Sequence, residues 1–184
     1  MIIGITGKRL SGKNTIAEYL KLKYGFEVLD FTRHVLAPLL KKEKKPITRE
    51  NLVELAMNLR SEKSTDILVK MLCDKIKPSK NYVIAGVRFR EEVDYLRKKF
   101  GKEFILISVD AKPKIRYQRA LQRSDKGEGS LSFNRFFRAE RLPTEAVIPQ
   151  TMKLADFSIE NNSTKTELYK KIDSIMNHII SLQK

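Results

Sequence analysis

Ile2-Ile3-Gly4-Ile5-Thr6-Gly7-Lys8-Arg9-Leu10-Ser11-Gly12-Lys13-Asn14-Thr15 opens the chain with an apolar run, a loop framed by glycines, and a lysine. Ile2 to Thr6 is short and β-branched, the pattern of a strand buried on both faces. Gly7 to Lys13 then matches G-x-x-x-x-G-K at the point where a strand hands over to a helix. Glycines let successive backbone N–H groups curl toward one centre, the helix start adds its dipole, and the lysine reaches β and γ phosphates. The stretch therefore predicts a cradle for a nucleoside triphosphate, built from Gly7, Leu10, Ser11, Gly12, Lys13, Asn14 and Thr15. The Ser or Thr that usually follows the lysine and helps hold Mg²⁺ is Asn14 here. The hydroxyl comes one place later, which makes Thr15, acting through water, the candidate on the metal side.

Downstream, Phe26–Asp30, Tyr82–Ala85, Phe104–Val109 and Phe157–Ile159 read as four further strands. Between them lie segments of helical period: Thr15–Lys23, Phe31 to about Lys44, a helix started by Thr48, Ser64–Ile76, Glu91–Phe100, and a helix entered through Pro113. Helical material resumes to about Leu154 with interruptions near Pro143 and Pro149, and Lys165–Leu182 closes the chain. Strands alternating with helices predict a parallel sheet covered on both faces, with ligands beyond the C-terminal strand edges. Thr6, Asp30, Ala85, Asp110 and Glu160 should then ring the site.

The chain has 184 residues, enough for one domain. No apolar run approaches the ~20 residues of a membrane span, and the N-terminus lacks a secretory pattern, so a cytoplasmic protein is expected. The single Cys73 excludes an intramolecular disulfide and a multi-cysteine zinc site; it reads as a small apolar helix residue. His34 and His178 have no partners at ligand spacing. The net charge of +15 implies anionic partners without choosing among them. Binding to nucleic acid is the weaker expectation. The run Lys41-Lys42-Glu43-Lys44-Lys45 is short and no cluster of stacking aromatics accompanies it.

Residues 112–141 carry nine basic against three acidic residues. Arg116, Arg119 and Arg123, spaced i, i+3, i+7, share one helix face just beyond the fourth strand, and Gly127 and Gly129 supply a hinge. Beside a phosphate loop, such a face predicts a lid that closes over phosphates.

These residues together resemble the nucleoside-monophosphate-kinase and dephospho-CoA-kinase group of P-loop kinases, most of all an archaeal dephospho-CoA-kinase-like, adenylate-kinase-related branch. Gly12-Lys13-Asn14-Thr15 is similar to the G-K-x-T of adenylate kinases. Ile84-Ala85-Gly86-Val87-Arg88, Ile115-Arg116-Tyr117-Gln118-Arg119, Arg138-Ala139-Glu140-Arg141 and Ala155-Asp156-Phe157-Ser158-Ile159-Glu160-Asn161 resemble further segments in the same order.

The resemblance implies a three-layer α/β P-loop NTPase fold, with a five-stranded parallel sheet and a helical lid over residues 112–142. An acceptor-binding helical region is implied over 32–78. It implies ATP and Mg²⁺ as cofactors, and γ-phosphoryl transfer to a nucleoside monophosphate or another nucleotide-like acceptor, with dephospho-CoA the rival. Lys13, Arg119 and Arg123 would stabilise the moving phosphoryl group, with Arg116 and Arg119 on the ATP side. Arg88 would take the acceptor's phosphate or the γ-phosphate, Arg33, Arg60 and Arg138 the acceptor, and Asn161 a place near the adenine. The pattern has an aspartate where this chain has Ala85. Asp30, ending the neighbouring strand, is the candidate replacement, and a helix N-cap is its competing role. Loss of catalysis with retained nucleotide binding is the other way to read Ala85 and Asn14.

Overall fold

The computed structural model describes residues 1–122 and 132–182. Five strands, β1 (Ile2–Thr6), β2 (Glu27–Asp30), β3 (Tyr82–Ala85), β4 (Phe104–Asp110) and β5 (Phe157–Glu160), form one all-parallel sheet in the order β2-β3-β1-β4-β5. The apolar run at the N-terminus becomes the central strand, buried along its whole length. Its register sets Ile5 against Ala85 and Thr6 against Ser108, and Asp30 lies against Ala85 on the far side of β3. Chain order reverses on either side of β1, so the loop after it opens at the crevice where parallel sheets bind ligands.

Strand alternation divides the core in two. Ile2, Leu29, Tyr82, Ile84, Phe104 and Leu106 face helices α3 (Arg49–Glu62), α4 (Ile67–Cys73) and α5 (Arg90–Phe100). Ile3, Ile5, Val83, Ile107 and Val109 face α1 (Lys13–Tyr24) and the C-terminal helix (Lys165–Leu182). That last helix buries Leu168, Ile172, Met176 and Ile179, a stripe of helical period, against Ile16, Ala17 and Leu20 of α1. A polar clasp adds to it. Asp173 accepts hydrogen bonds from Tyr19 at 2.8 Å, Tyr24 at 2.7 Å and Lys23 at 2.8 Å. The helix that carries Lys13 is thus fixed from behind.

Every expected strand is present within a residue or two of its expected ends. The continuous helix expected from Phe31 is not. Thr32–Leu36 is a π-helical turn, which passes into α2 (Ala37–Lys42). Apolar spacing cannot separate a π turn from an α turn over five residues; in this one the Asp30 backbone N lies 3.1 Å from His34 Nδ1. Thr48 caps α3 as expected, its hydroxyl accepting from Asn51 N at 3.2 Å. After α6 (Pro113–Leu121) come α7 (Phe133–Arg138), a 3₁₀ turn Ala139–Arg141, α8 (Pro143–Ala146) and α9 (Ile148–Met152). The helical material breaks at Leu142 and Val147, near Pro143 and Pro149 as expected, and each proline sits in the first turn of the helix that follows, where its missing N–H costs nothing. The C-terminal helix is α10. No described helix is long and apolar enough to cross a membrane. Cys73 is buried, and burial pushes its thiol up to about 11, so it packs as an apolar group.

Candidate phosphate site

The loop between β1 and α1 is shaped by backbone that only certain residues adopt. Gly7 and Gly12 have φ of 148° and 117°, and Leu10 is left-handed at 59°. Space is as restrictive as torsion. A Cβ on Gly7 would lie 2.1 Å from the Val109 carbonyl oxygen, and one on Gly12 would lie 2.4 Å from Asn161 Nδ2. Gly12 gives α1 no side-chain cap, which leaves its first amides open to an anion. Two hydroxyls here, Thr6 Oγ1 and Ser11 Oγ, are buried with no hydrogen-bond partner among the described residues. Orphaned donors beside open helix amides fit a polyphosphate. No cluster of three metal-ligating side chains occurs among the described residues, so a Mg²⁺ ion would be held mainly by phosphate oxygens and water, with half-buried Thr15 and exposed Asn14 the side chains at the helix start.

Lys13 bends back over the loop and donates to Gly7 O at 2.6 Å and Lys8 O at 2.8 Å. Although the residue is only half-buried, its ammonium is crowded by protein. Desolvation first, then Arg88, Arg116 and Arg9, pull its pKa from 10.5 down to about 7, with Glu145 opposing. A bound triphosphate would favour the ammonium and raise that pKa again. Between about pH 7 and 10.5, binding therefore takes up a proton, and affinity falls as pH rises, by up to about tenfold per unit. Calorimetry of ATP binding at pH 7.5 and 9, in buffers of different ionisation enthalpy, should record that uptake and that loss.

Arg116 and Arg119 leave α6 toward the outer side of the loop. Arg116 is 1% exposed. Its Nε donates to Ala111 O at 2.9 Å, its Nη1 to Arg9 O at 3.5 Å, and its two Nη atoms engage both carboxylate oxygens of Glu140. Arg119 donates to Leu10 O at 3.1 Å and to Asn161 O at 2.9 Å. Asn161, expected near the base, spends its side-chain amide on Ser11 O at 2.7 Å. The expected overhanging face thus braces the carbonyls of the phosphate loop, leaving its N–H groups for a ligand. Arg123 and the glycine hinge lie outside the described residues.

Arg88, just after β3, is near enough to Lys13 for its charge to lower the lysine's proton affinity. Its guanidinium donates to Gly86 O at 3.2 Å and pairs with Glu145 at 3.4 Å. Its backbone is pinned at both ends: N–H to Glu92 Oε2 at 2.8 Å, C=O from Thr151 Oγ1 at 2.5 Å. Glu92, 0% exposed, also accepts from Phe89 N and forms a 3.0 Å ion pair with Arg60, itself 10% exposed and stacked on the Phe89 ring. One buried carboxylate therefore connects Arg60 to the Arg88 loop.

Asp30 ends β2 beside Ala85, but its Oδ1 accepts from Arg33 N at 2.6 Å, the capping role. Arg33 is 79% exposed by side chain and Arg138 is exposed; neither is drawn into the cation cluster. Asp156 of the Ala-Asp segment is structural, accepting from Leu106 N at 2.7 Å and from Arg97 at 3.1 Å.

Sequence reasoning gave no role to Glu92, Glu140, Glu145 or Thr151. Glu92 had a local signal, lying four residues after Arg88 on the first turn of a helix. Glu145 had none.

Residues 3–142, more than half of the chain, match the family described as AAA domain. A UPF0200 protein of Sulfurisphaera tokodaii is 31% identical over 97% of both chains, and one of Pyrococcus horikoshii 28% identical over 98% of both. The chain belongs to the AAA-domain family and to the UPF0200 proteins. It spans about half, 54%, of the UPF0200/UPF0201 protein of Archaeoglobus fulgidus, to which it is 28% identical over 95% of its own length.

Among solved structures it is similar to shikimate kinase from Acinetobacter baumannii, with a TM-score of 0.57, 16% identity, and 96% and 93% of the two chains covered. A gluconokinase from Sinorhizobium meliloti gives 0.56, 12%, and 98% and 94%. At these identities the likeness is one of fold. The fold is that of a P-loop kinase.

Proposed function

We propose that this chain is an ATP- and Mg²⁺-dependent phosphotransferase that moves the γ-phosphoryl group to a nucleoside monophosphate or other nucleotide-like acceptor. The observation that carries the reading is Lys13 folded back over a glycine loop whose buried Ser11 hydroxyl has no partner among the described residues, with the Arg88 charge near enough to lower its proton affinity. Bound ATP-Mg²⁺ would supply the phosphoryl group and the charge that draws electrons from it.

The protein's part is positioning and neutralisation. Lys13 would exchange two backbone carbonyls for phosphate oxygens. Arg88, held at both ends of its peptide, would neutralise charge on the transferring group or on the acceptor. Arg60, coupled to Arg88 through Glu92, supports an acceptor anion on that side. Arg119 and Asn161 would keep the loop rigid, so no reorganisation is needed when phosphate arrives. Arg123 and Arg138 remain proposed contacts from a lid, and Asp30 the proposed acid at the strand edge that Ala85 leaves bare.

The acceptor decides between related chemistries. ADP release should be followed with ATP, Mg²⁺ and a panel of nucleoside monophosphates, dephospho-CoA, shikimate and gluconate. Turnover at least about tenfold above the acceptor-free rate with a nucleotide-like member is expected. Turnover only with shikimate or gluconate would replace the acceptor class. No turnover with any member would overturn the transferase reading. Ala85 and the exposed Asn14 favour one second reading, a nucleotide-binding protein without transfer. Tight ATP binding without turnover, and activity gained by Ala85→Asp, would select it.

A further inference from the structure

The 3₁₀ turn Ala139–Arg141 and the short helix α8 after it bring two carboxylates against the arginines beside the phosphate site. Glu140, 12% exposed by side chain, is locked on both nitrogens of Arg116. Glu145, 11% exposed by side chain, is held far more loosely, with one 3.4 Å contact to Arg88. Together with Lys8 of the loop, Ala146 and Pro149, they line a cavity of about 140 Å³. A nearly buried carboxylate needs compensating charge. Glu145 finds it in Arg88 and in the Lys13 ammonium, whose proton affinity it raises. These are the groups that the proposed function gives to phosphate.

We propose that Glu145 is a built-in counter-anion of the phosphate site, competing with the terminal phosphate of a nucleotide for Arg88. The inference rests on the phosphate-loop reading and adds a displacement step to it. The competition is between anions of one sign for the same donors, so a triphosphate has to move the Glu145 carboxylate off Arg88 as it binds. Glu140 serves as the fixed end: its two-pronged bond to a 1% exposed arginine, itself tied to Arg9 O, keeps the segment docked while Glu145 leaves. Both carboxylates of the cavity already face arginines, which argues against a role as a metal cage. The arrangement would raise the nucleotide concentration needed for occupancy and would keep smaller anions of lower charge off Arg88.

The test is calorimetric titration of the full chain with ATP, once with Mg²⁺ and once with EDTA. Wild type is compared with Glu145→Gln and Glu145→Ala, after thermal unfolding has shown that each variant is folded. Loss of one partly screened competing charge should tighten binding roughly three- to tenfold in both titrations. In an Arg88→Gln background the gain should vanish, because the contested donor is gone. Unchanged affinity overturns the inference. So does a gain that persists without Arg88, which would be a generic charge effect. Weaker binding confined to the Mg²⁺ titration also overturns it and gives Glu145 to the metal side. A wild type that binds no ATP would bring down the phosphate-loop reading and this inference together, whereas wild-type binding unaffected by either variant removes this inference alone.

Discussion

Lys13→Met is expected to weaken ATP binding by about tenfold to a hundredfold, the worth of charged hydrogen bonds to phosphate. Phosphoryl transfer should fall further, by about a thousandfold, because the ammonium matters most where charge moves. The fold should survive. Lys13 gives up two hydrogen bonds to Gly7 O and Lys8 O, but it also removes a cation crowded by Arg88, Arg116 and Arg9. A lysine whose folded pKa lies near 7 against 10.5 costs the native state free energy when protonated; the cost is full below about pH 7 and fades toward 10.5. At neutral pH the loss and the relief oppose each other, and the unfolding temperature should stay within a few degrees. Calorimetry and thermal unfolding on the same sample check both halves. A variant that binds ATP as wild type does would remove the basis of the functional proposal.

Glu92→Ala carries the largest expected cost in stability. It would strand the Arg60 guanidinium, 10% exposed by side chain, and deprive the Arg88 and Phe89 N–H groups of their acceptor. Breaking one partner of a buried ion pair costs about 3–5 kcal/mol, a large share of a domain's usual margin. For a chain of this size that means an unfolding temperature lower by roughly 10 °C. Glu92→Gln keeps an oxygen for the two amides and should recover part of the loss, though not the ion pair. Urea unfolding of both variants would measure the difference. Equal stability of wild type and Glu92→Ala would show that the Arg60–Glu92 pair bears no weight in the fold.

Strands and the phosphate loop were legible because each rests on local chemistry. An apolar β-branched run is a buried strand whatever surrounds it, and Gly7 and Gly12 announce positive φ by their lack of a Cβ. The arginines of α6 illustrate where such reading stops. Arg116 and Arg119 do act together, but on the loop's carbonyls and Glu140, because spacing along a helix says which residues point together and nothing about what they meet. Asp30 was legible both as a strand-end acid and as a helix cap, but not which of the two it serves, since that depends on the π-helical turn that brings Arg33 N to it.

The amino-acid order by itself determined the alternation of strand and helix, the glycine cradle and the excess of positive charge, all consequences of side-chain shape and pattern within a few residues of one another. Only the folded chain decided that Arg119 and Asn161 hold the loop by its carbonyls, that Glu92 pairs with Arg60, and that Glu145 pairs with Arg88. These contacts join residues separated by 32 to 150 positions. Their energies come from burial and from paired charge in a low-dielectric interior, which exist only after the sheet has brought distant segments to one edge.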